Sequence, residues 1–245
     1  MVNVVIPMAG LGSRFAQVGY DKPKPFIDVA GLPMIERVLG NLWFEEARFV
    51  LIVRQEHYTQ ETLFFTALSQ KFPITYVTID KVTEGAACTV LTAVWDINRD
   101  VPLLIANSDQ IVDAAMADFV KDSDNRGLDG SVMTFSADHP KWSYAETDSN
   151  DHIIRIREKE VISHHATVGI YYFCSGALFV NAATDMIAHN DRVNHEFYVA
   201  PAYNYAIARG KKFGIYGIAK EKMHGIGTPE DLEIYLKILT NPTRT

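Results

Sequence analysis

The sequence predicts an α/β protein in which a mainly parallel, mixed sheet is sandwiched between two layers of helices. Two observations carry this. Through the first half, short apolar runs alternate with amphipathic runs of helical length, the pattern of a parallel sheet whose crossovers are helices. The second half opens instead on four strand patterns in succession, which reads as a mixed-sheet region inserted in one continuous domain.

Val2–Ile6, with Val4 to Ile6 as its core, reads as the first strand, followed by a helix over Met34–Leu42, a strand over Phe49–Val53 and a helix over His57–Gln70. Ile74–Ile79 is the next strand, Ala86–Asp96 the next helix, and Leu103–Ala106 a short, wholly apolar strand. The four strand patterns of the second half are Ser131–Ser136, Tyr144–Thr147, Ile153–Arg157 and Thr167–Phe173, with a turn predicted at Asp148-Ser149-Asn150-Asp151. Helices are predicted over Gly176–Ala188 and Tyr198–Ala208, then a strand over Phe213–Ala219 and a helix over Pro229–Leu239. Thr228 is placed to cap that last helix, with Pro229 at its first position and Asp231 in its first turn. No repeat or linker divides the chain, so residues 1–245 read as one domain with a first half over 1–125 and a second over 126–245.

Composition narrows the function. Of the 245 residues, 48% are hydrophobic and 22% charged, as in ordinary soluble proteins, and no apolar run reaches membrane-spanning length. The N-terminus lacks the basic-then-apolar order of a signal peptide, so a cytoplasmic location is expected. A net charge of −7 argues against a broad nucleic-acid surface. Two cysteines, Cys88 and Cys174, lie in apolar segments and suggest neither a metal site nor a disulfide framework. Nothing in the pattern excludes a homo-oligomer.

The chemistry concentrates in Ile6–Pro25, IPMAGLGSRFAQVGYDKPKP. A strand runs into Met8-Ala9-Gly10-Leu11-Gly12-Ser13, where glycines let backbone N–H groups approach phosphate oxygens. Arg14 adds a forked, permanent cation suited to a triphosphate, and Lys22 and Lys24 supply further charge. Asp109 follows the Leu103 strand, within Asn107-Ser108-Asp109-Gln110, at the carboxyl edge where ligands bind in such sheets. Its hard oxygens suit Mg²⁺, although a cap on a helix starting near Ala114 is the structural alternative. Glu158-Lys159, at a strand end, could receive hydroxyls and a phosphate, or form a solvated rim. Asn194 and Glu196 divide evenly between substrate contact and helix entry. His139, His152, His164 and His165 have no metal-like partners at suitable spacing.

Other nucleotide and hydrolase patterns fail. No Gly-Lys-Ser/Thr follows the loop, no third glycine completes a dinucleotide fingerprint, and no Gly-x-Ser-x-Gly elbow occurs. What remains resembles the sugar-phosphate nucleotidyltransferase (nucleotide-sugar pyrophosphorylase) family over nearly the whole chain. Gly10, Gly12, Arg14 and Pro23-Lys24-Pro25 are similar to its opening loop, Val29–Met34 to the stretch before its first helix, and Glu84-Gly85-Ala86-Ala87 to its base-reading segment. Asp109 resembles its metal-binding Asp, Glu158-Lys159 and Val168–Tyr171 its acceptor segments, and Gly227–Leu232 its closing motif.

The resemblance implies a Rossmann-like sandwich of the nucleotide-diphospho-sugar transferase type, with a nucleotide-binding first half and an acceptor-binding second half. It implies Mg²⁺ as cofactor, a nucleoside triphosphate (a pyrimidine is favoured) and a phosphorylated small molecule as substrates, and a role in surface-polysaccharide precursor supply. Arg14, Lys24 and Asp109 are then the catalytic set. The nucleotide contacts are Met8 to Ser13, Glu84, Gly85, Ala86 and Ser108; the acceptor contacts are Tyr144, Glu158, Lys159, Gly169, Asn194 and Glu196. Two departures stand out. Gly225 occupies the place of a second metal-ligating Asp, and Tyr144-Ala145 replaces an aromatic-Gly pair, which sets a methyl where a sugar ring would approach. A metal-dependent glycosyltransferase would show an Asp-x-Asp pair where this chain has Ser108-Asp109-Gln110. Gly225 leaves a catalytically silent nucleotide-binding regulator as the third reading.

Overall fold

In the computed structural model, which describes residues 1–240, β1 (Val2–Pro7) is an interior strand of a nine-stranded sheet. It pairs in parallel with β4 (Ala47–Arg54) on one side and β6 (Leu103–Ala106) on the other, and β5 (Ile74–Ile79) extends the sheet beyond β4. Beyond β6 the sheet turns antiparallel at β11 (His165–Phe173), which also pairs with β8 (Gly130–Ser136) and touches β9 (Ser143–Thr147). β10 (Ile153–Glu158) closes one edge against β9, and β12 (Phe213–Gly217) runs parallel to β8 at another.

Alternation along β1 decides the layers. Val4 and Ile6 face one apolar cluster and Val5 the opposite one, all with no exposed surface. The first cluster receives α2 (Met34–Leu42), α4 (Thr62–Lys71), α7 (Met116–Asn125) and α10 (Pro229–Thr240) through Val38, Phe65, Phe119 and Leu232. The second receives α5 (Ala86–Leu91), α6 (Val94–Ile97), α8 (Gly176–Ala188) and α9 (Ala202–Ala208) through Val90, Ile97, Phe179 and Tyr203. This is the expected three-layer sandwich.

Local chemistry accounts for the differences from expectation. The helix expected over His57–Gln70 is broken at Glu61 into α3 (Gln55–Gln60) and α4. There the Thr62 hydroxyl donates back to the Tyr58 and Thr59 carbonyls, an alternative that competes with regular helix bonding. Ala86–Asp96 divides at Thr92-Ala93 into α5 and α6, and Thr92 donates to the Thr89 carbonyl. The helix expected from Tyr198 starts at Ala202, because Pro201 disfavours helical backbone at the residue before it.

Five short elements lacked a periodic signal. They are α1 (Ser13–Gln17), β2 (Asp28–Val29), β3 (Leu32–Pro33), β7 (Gln110–Val112) and β13 (Met223–Gly225). β2 and β3 form a hairpin tied to α2 by Arg37, whose guanidinium donates to the Val29 and Ala30 carbonyls at 2.8 and 3.0 Å.

Candidate active site

The parallel register sets Val5 beside Ile105, so β1 and β6 end together and their loops emerge side by side. Met8 opens the first loop, its amide donating to the Ile52 carbonyl at 3.0 Å. Gly12 takes φ +60°, and a Cβ there would stand 2.8 Å from the Lys24 Cβ, so glycine is what lets the Lys22–Pro25 run fold against the loop. Directly behind Lys24, Phe26 is buried in edge-on contacts with His57, Phe64 and Phe65, and this anchor fixes where the lysine begins. The Lys24 ammonium donates to the Asp109 carboxylate from the second loop.

Asp109 is held in place by two short strands and by the closing Gly-Thr. β7 pairs with β13, and the Asn41 side chain bonds both the Val112 carbonyl and amide, at 2.8 and 2.9 Å. The Ile226 amide donates to the Asp109 carbonyl at 2.9 Å, and a Cβ on Gly227 would overlap the Asp109 carboxylate. The closing Gly-Thr therefore acts on Asp109 by leaving it room.

Two cavities adjoin here. One, of about 370 Å³, is walled by Met8, Gly10, Gly12, Lys24, Ala86, Ser108, Asp109 and Glu196. The other, of about 310 Å³, is walled by Arg14, Lys141, Trp142, Ser143, Glu158, Lys159, Gly169 and Tyr198, among others. Ala86 and Asn107 belong to both walls. Gly169 makes this junction possible. It sits at φ +93° in a register shift of β11, its carbonyl accepts from the Asn107 amide, and a Cβ would overlap the side-chain amides of Asn107 and Gln110.

Glu84 and Gly85, expected as nucleotide contacts, precede Ala86 on the cavity wall but line neither cavity themselves. Glu84 pairs with Arg192, the Ala87 and Phe197 amides exchange bonds with the Phe197 and Glu84 carbonyls, and a Cβ on Gly85 would stand 2.5 Å from the Phe197 amide nitrogen. The segment resembling a base reader is thus clamped to the second half of the chain. Ala9 is buried, whereas Leu11 and Ser13 are exposed; none of the three lines either cavity.

Several placements differ from expectation. Arg14 lines the second cavity, not the one holding the glycine loop. Glu196, expected as an acceptor contact, lines the cavity of Lys24 and Asp109. Asn194 (φ +49°) and His195 (φ +67°) form an exposed tight turn closed by a Val193–Glu196 bridge, and Asn194 lines neither cavity. Tyr144 is fully buried, its hydroxyl donating to the His139 carbonyl at 2.8 Å, so it is a core residue with no face toward a ligand. The Ala145 methyl is likewise buried, in the opposite core cluster, and does not intrude on an acceptor.

Sequence reading placed Asn107 and Gln110 at the ligand edge without a role, and gave none to Lys141, Trp142, Ser143 or Tyr198, which also wall the second cavity. The alternation in Ser143-Tyr144-Ala145 was the available signal for Ser143, since it sets Ser143 and Tyr144 on opposite faces. The Ser143 hydroxyl donates to the Glu158 carboxylate. Burial pushes the Glu158 carboxyl above the ordinary glutamate range, against the opposing pull of Ser143 and the Lys159 charge.

Comparison with known proteins decides the family. A model of the nucleotidyl transferase family matches residues 3–232. The chain belongs to that family. Among curated relatives, a bifunctional protein GlmU of Methanococcus maripaludis is 25% identical over 236 residues, covering 94% of this chain and 53% of that protein. The chain thus spans about half the length of this relative. A UTP–glucose-1-phosphate uridylyltransferase, AglF of Haloferax volcanii, is 27% identical over 242 residues, covering 94% of this chain and 93% of the relative. Among solved structures, a nucleoside-diphosphate-sugar pyrophosphorylase from Vibrio cholerae RC9 superposes with a TM-score of 0.84 at 24% identity, over 96% of this chain and 99% of that one. That likeness bears on the fold.

Within this nucleotidyl transferase the donor set suits a small, hard cation. Asp109 presents a carboxylate beside the glycine loop, Glu196 adds a second on the same cavity, and the Gly227 cradle keeps Asp109 free of crowding. Gly225 supplies no ligand; a Cβ there would stand 3.6 Å from the Asp231 carboxylate, in ordinary contact. No cluster of three or more His, Cys, Asp or Glu suited to a metal occurs among the described residues. One or two carboxylates completed by phosphate oxygens and water are the usual protein share for Mg²⁺. No helix among the described residues is long and apolar enough to cross a membrane.

Proposed function

We propose that this nucleotidyl transferase couples a nucleoside triphosphate to a sugar 1-phosphate or another small phosphorylated molecule and releases pyrophosphate. The observation that carries this reading is the pair of adjoining cavities. One holds the glycine loop, Lys24 and Asp109; the other holds Glu158 and Lys159. A triphosphate in the first presents its α-phosphorus toward the shared wall of Ala86 and Asn107, where an acceptor phosphate from the second can reach it.

The acceptor phosphate is already anionic, so no protein nucleophile is needed. One of its oxygens forms a bond to the α-phosphorus as the bond to the bridging oxygen of the leaving pyrophosphate breaks. Positioning and charge stabilisation then carry the rate. Lys24, anchored through Phe26, stabilises the charge that gathers around the α-phosphorus. The loop N–H groups hold the β- and γ-phosphates together with Arg14, which reaches them by swinging from the wall of the second cavity. Lys159 holds the acceptor phosphate, and Glu158 receives hydroxyl donors. Asp109 would hold Mg²⁺, which when bound neutralises triphosphate charge. A pyrimidine donor and the supply of surface-polysaccharide precursors complete the proposal.

The test is pyrophosphate release, read as phosphate after added pyrophosphatase, over the common triphosphates and a panel of phosphorylated acceptors. Release that requires both substrates supports the reading. Absence of release from every pair refutes it.

A further inference from the structure

Tyr198 touches the group most directly tied to the acceptor. The Lys159 ammonium donates to the Tyr198 phenolic oxygen at 2.6 Å and lies 4.7 Å from the centre of the same ring. Both residues wall the second cavity. Lys159 is also held at φ +58°, a left-handed backbone rare outside glycine, with its amide donating to the Trp142 carbonyl at 3.0 Å. Such strain tends to persist where surrounding contacts fix a side chain for use.

An ammonium is a donor only, so it leaves the phenol's own proton free to point elsewhere. The Glu196 carboxylate lies against that phenol from the neighbouring cavity and is the acceptor available to it when no phosphate is present. We propose that Tyr198 is a second donor to the acceptor phosphate: Lys159 and Tyr198 form a two-pronged clamp for a phosphate monoester, and the phenol turns its proton from Glu196 to the phosphate when the acceptor enters. The inference rests on the reading of the second cavity as the acceptor site. A phenol is neutral at neutral pH and carries one O–H to donate. A lysine alone is a point charge on a flexible stem. The ring beside that ammonium, together with a hydroxyl within bonding distance of it, turns it into a directional site.

The probe is inorganic phosphate, titrated calorimetrically into enzyme whose glycine loop is first saturated with inorganic tripolyphosphate. Tyr198→Phe keeps the ring over Lys159 and removes only the hydroxyl. It is expected to weaken phosphate binding by roughly tenfold to a hundredfold, as expected for one hydrogen bond to a charged group. Tripolyphosphate affinity is expected to stay as in the wild type. Lys159→Met should weaken phosphate binding at least as much, and the double variant should lose less than the product of the two single losses, because the pair acts as a unit. Wild-type phosphate affinity in Tyr198→Phe overturns the proposal. So does an equal loss of tripolyphosphate binding, which would mark a merely structural role, and so does a wild-type enzyme that takes up no phosphate in this cavity. Pyrophosphate release by the wild type judges the underlying reaction separately: a catalytically active enzyme with an indifferent Tyr198 refutes the clamp alone.

Discussion

The Lys24 ammonium is joined to the Asp109 carboxylate across the space between the β1 and β6 loops, so the two residues proposed to meet a charged triphosphate compensate each other's charge. The pair keeps both charges compensated while leaving them reachable, with 18% and 23% of the respective side chains exposed. Both residues line the same cavity.

Lys24→Ala is expected to lower turnover by about 10²–10³, the usual effect of removing a donor that acts in the transition state. Its effect on stability should be small, because a partly exposed ion pair contributes no more than about 1 kcal/mol. For a chain of this size that corresponds to a melting shift of about 2–4 °C at most. Pyrophosphate release and thermal melts on the same preparation check both halves. Near-wild-type turnover would remove Lys24 from the reaction.

Gly85 and Gly169 should be intolerant of alanine, for the same physical reason at two places. Gly85 (φ +127°) would drive a Cβ to within 2.5 Å of the Phe197 amide nitrogen, and Gly169 (φ +93°) would drive one into Asn107 and Gln110. Each substitution combines a backbone conformation strained for an L side chain with overpacking, and each is expected to cost on the order of 2–4 kcal/mol. Gly19→Ala is the control. It has a similarly positive φ of +89° but nothing within 4 Å of its Cβ, so it should lose only the strain. Denaturant midpoints for the three variants would separate strain from collision.

Glu158 gives the site a pH signature. Its folded-state carboxyl lies above the ordinary range, chiefly through burial, so the folded protein holds this proton more tightly than the unfolded chain does. The group therefore favours folding below the unfolded pKa, and that contribution is lost as pH rises through the raised folded value. Glu158→Gln, which stays neutral throughout, should melt close to wild type near pH 4. It should gain on wild type as pH rises toward 7. A constant difference across that range would show that Glu158 ionises as freely in the fold as in the unfolded chain.

The sequence revealed more of the phosphate side than of the acceptor side, and the reason is geometric. Gly12, Lys24 and Asp109 lie on loops that leave adjacent parallel strands, so their order along the chain already implied one edge. The second cavity is assembled from β8–β9, β10, β11 and the turn after α8, elements that become neighbours only through antiparallel pairing and a register shift at Gly169. Nothing local to Tyr198 announces that Lys159 lies above it. Glu196 shows the same limit. Its neighbours suggested helix entry or substrate contact, while the tight turn at Asn194-His195 is what delivers it to the cavity of Asp109. The short strands β7 and β13 escaped notice because three residues are too few for a period, although they are what hold Asp109 in place.

Tyr144 tests the difference between resemblance and placement. By analogy with a family motif it stood as an acceptor contact, but its ring is wholly buried and its hydroxyl is bonded to the His139 carbonyl. Tyr144→Phe should therefore leave the acceptor KM unchanged within about twofold while lowering stability by about 1 kcal/mol, the usual net value of one such hydrogen bond. The neighbouring Ser143→Ala should do the reverse. Ser143 lines the second cavity and donates to Glu158, so its loss removes a bond that favours the ionised carboxylate and pushes the Glu158 pKa higher still. The expected result is a change in acceptor KM and in its pH profile. Parallel kinetics and melts on the two variants decide the matter: an acceptor KM that moves with Tyr144→Phe and not with Ser143→Ala would place the acceptor on the wrong face of β9.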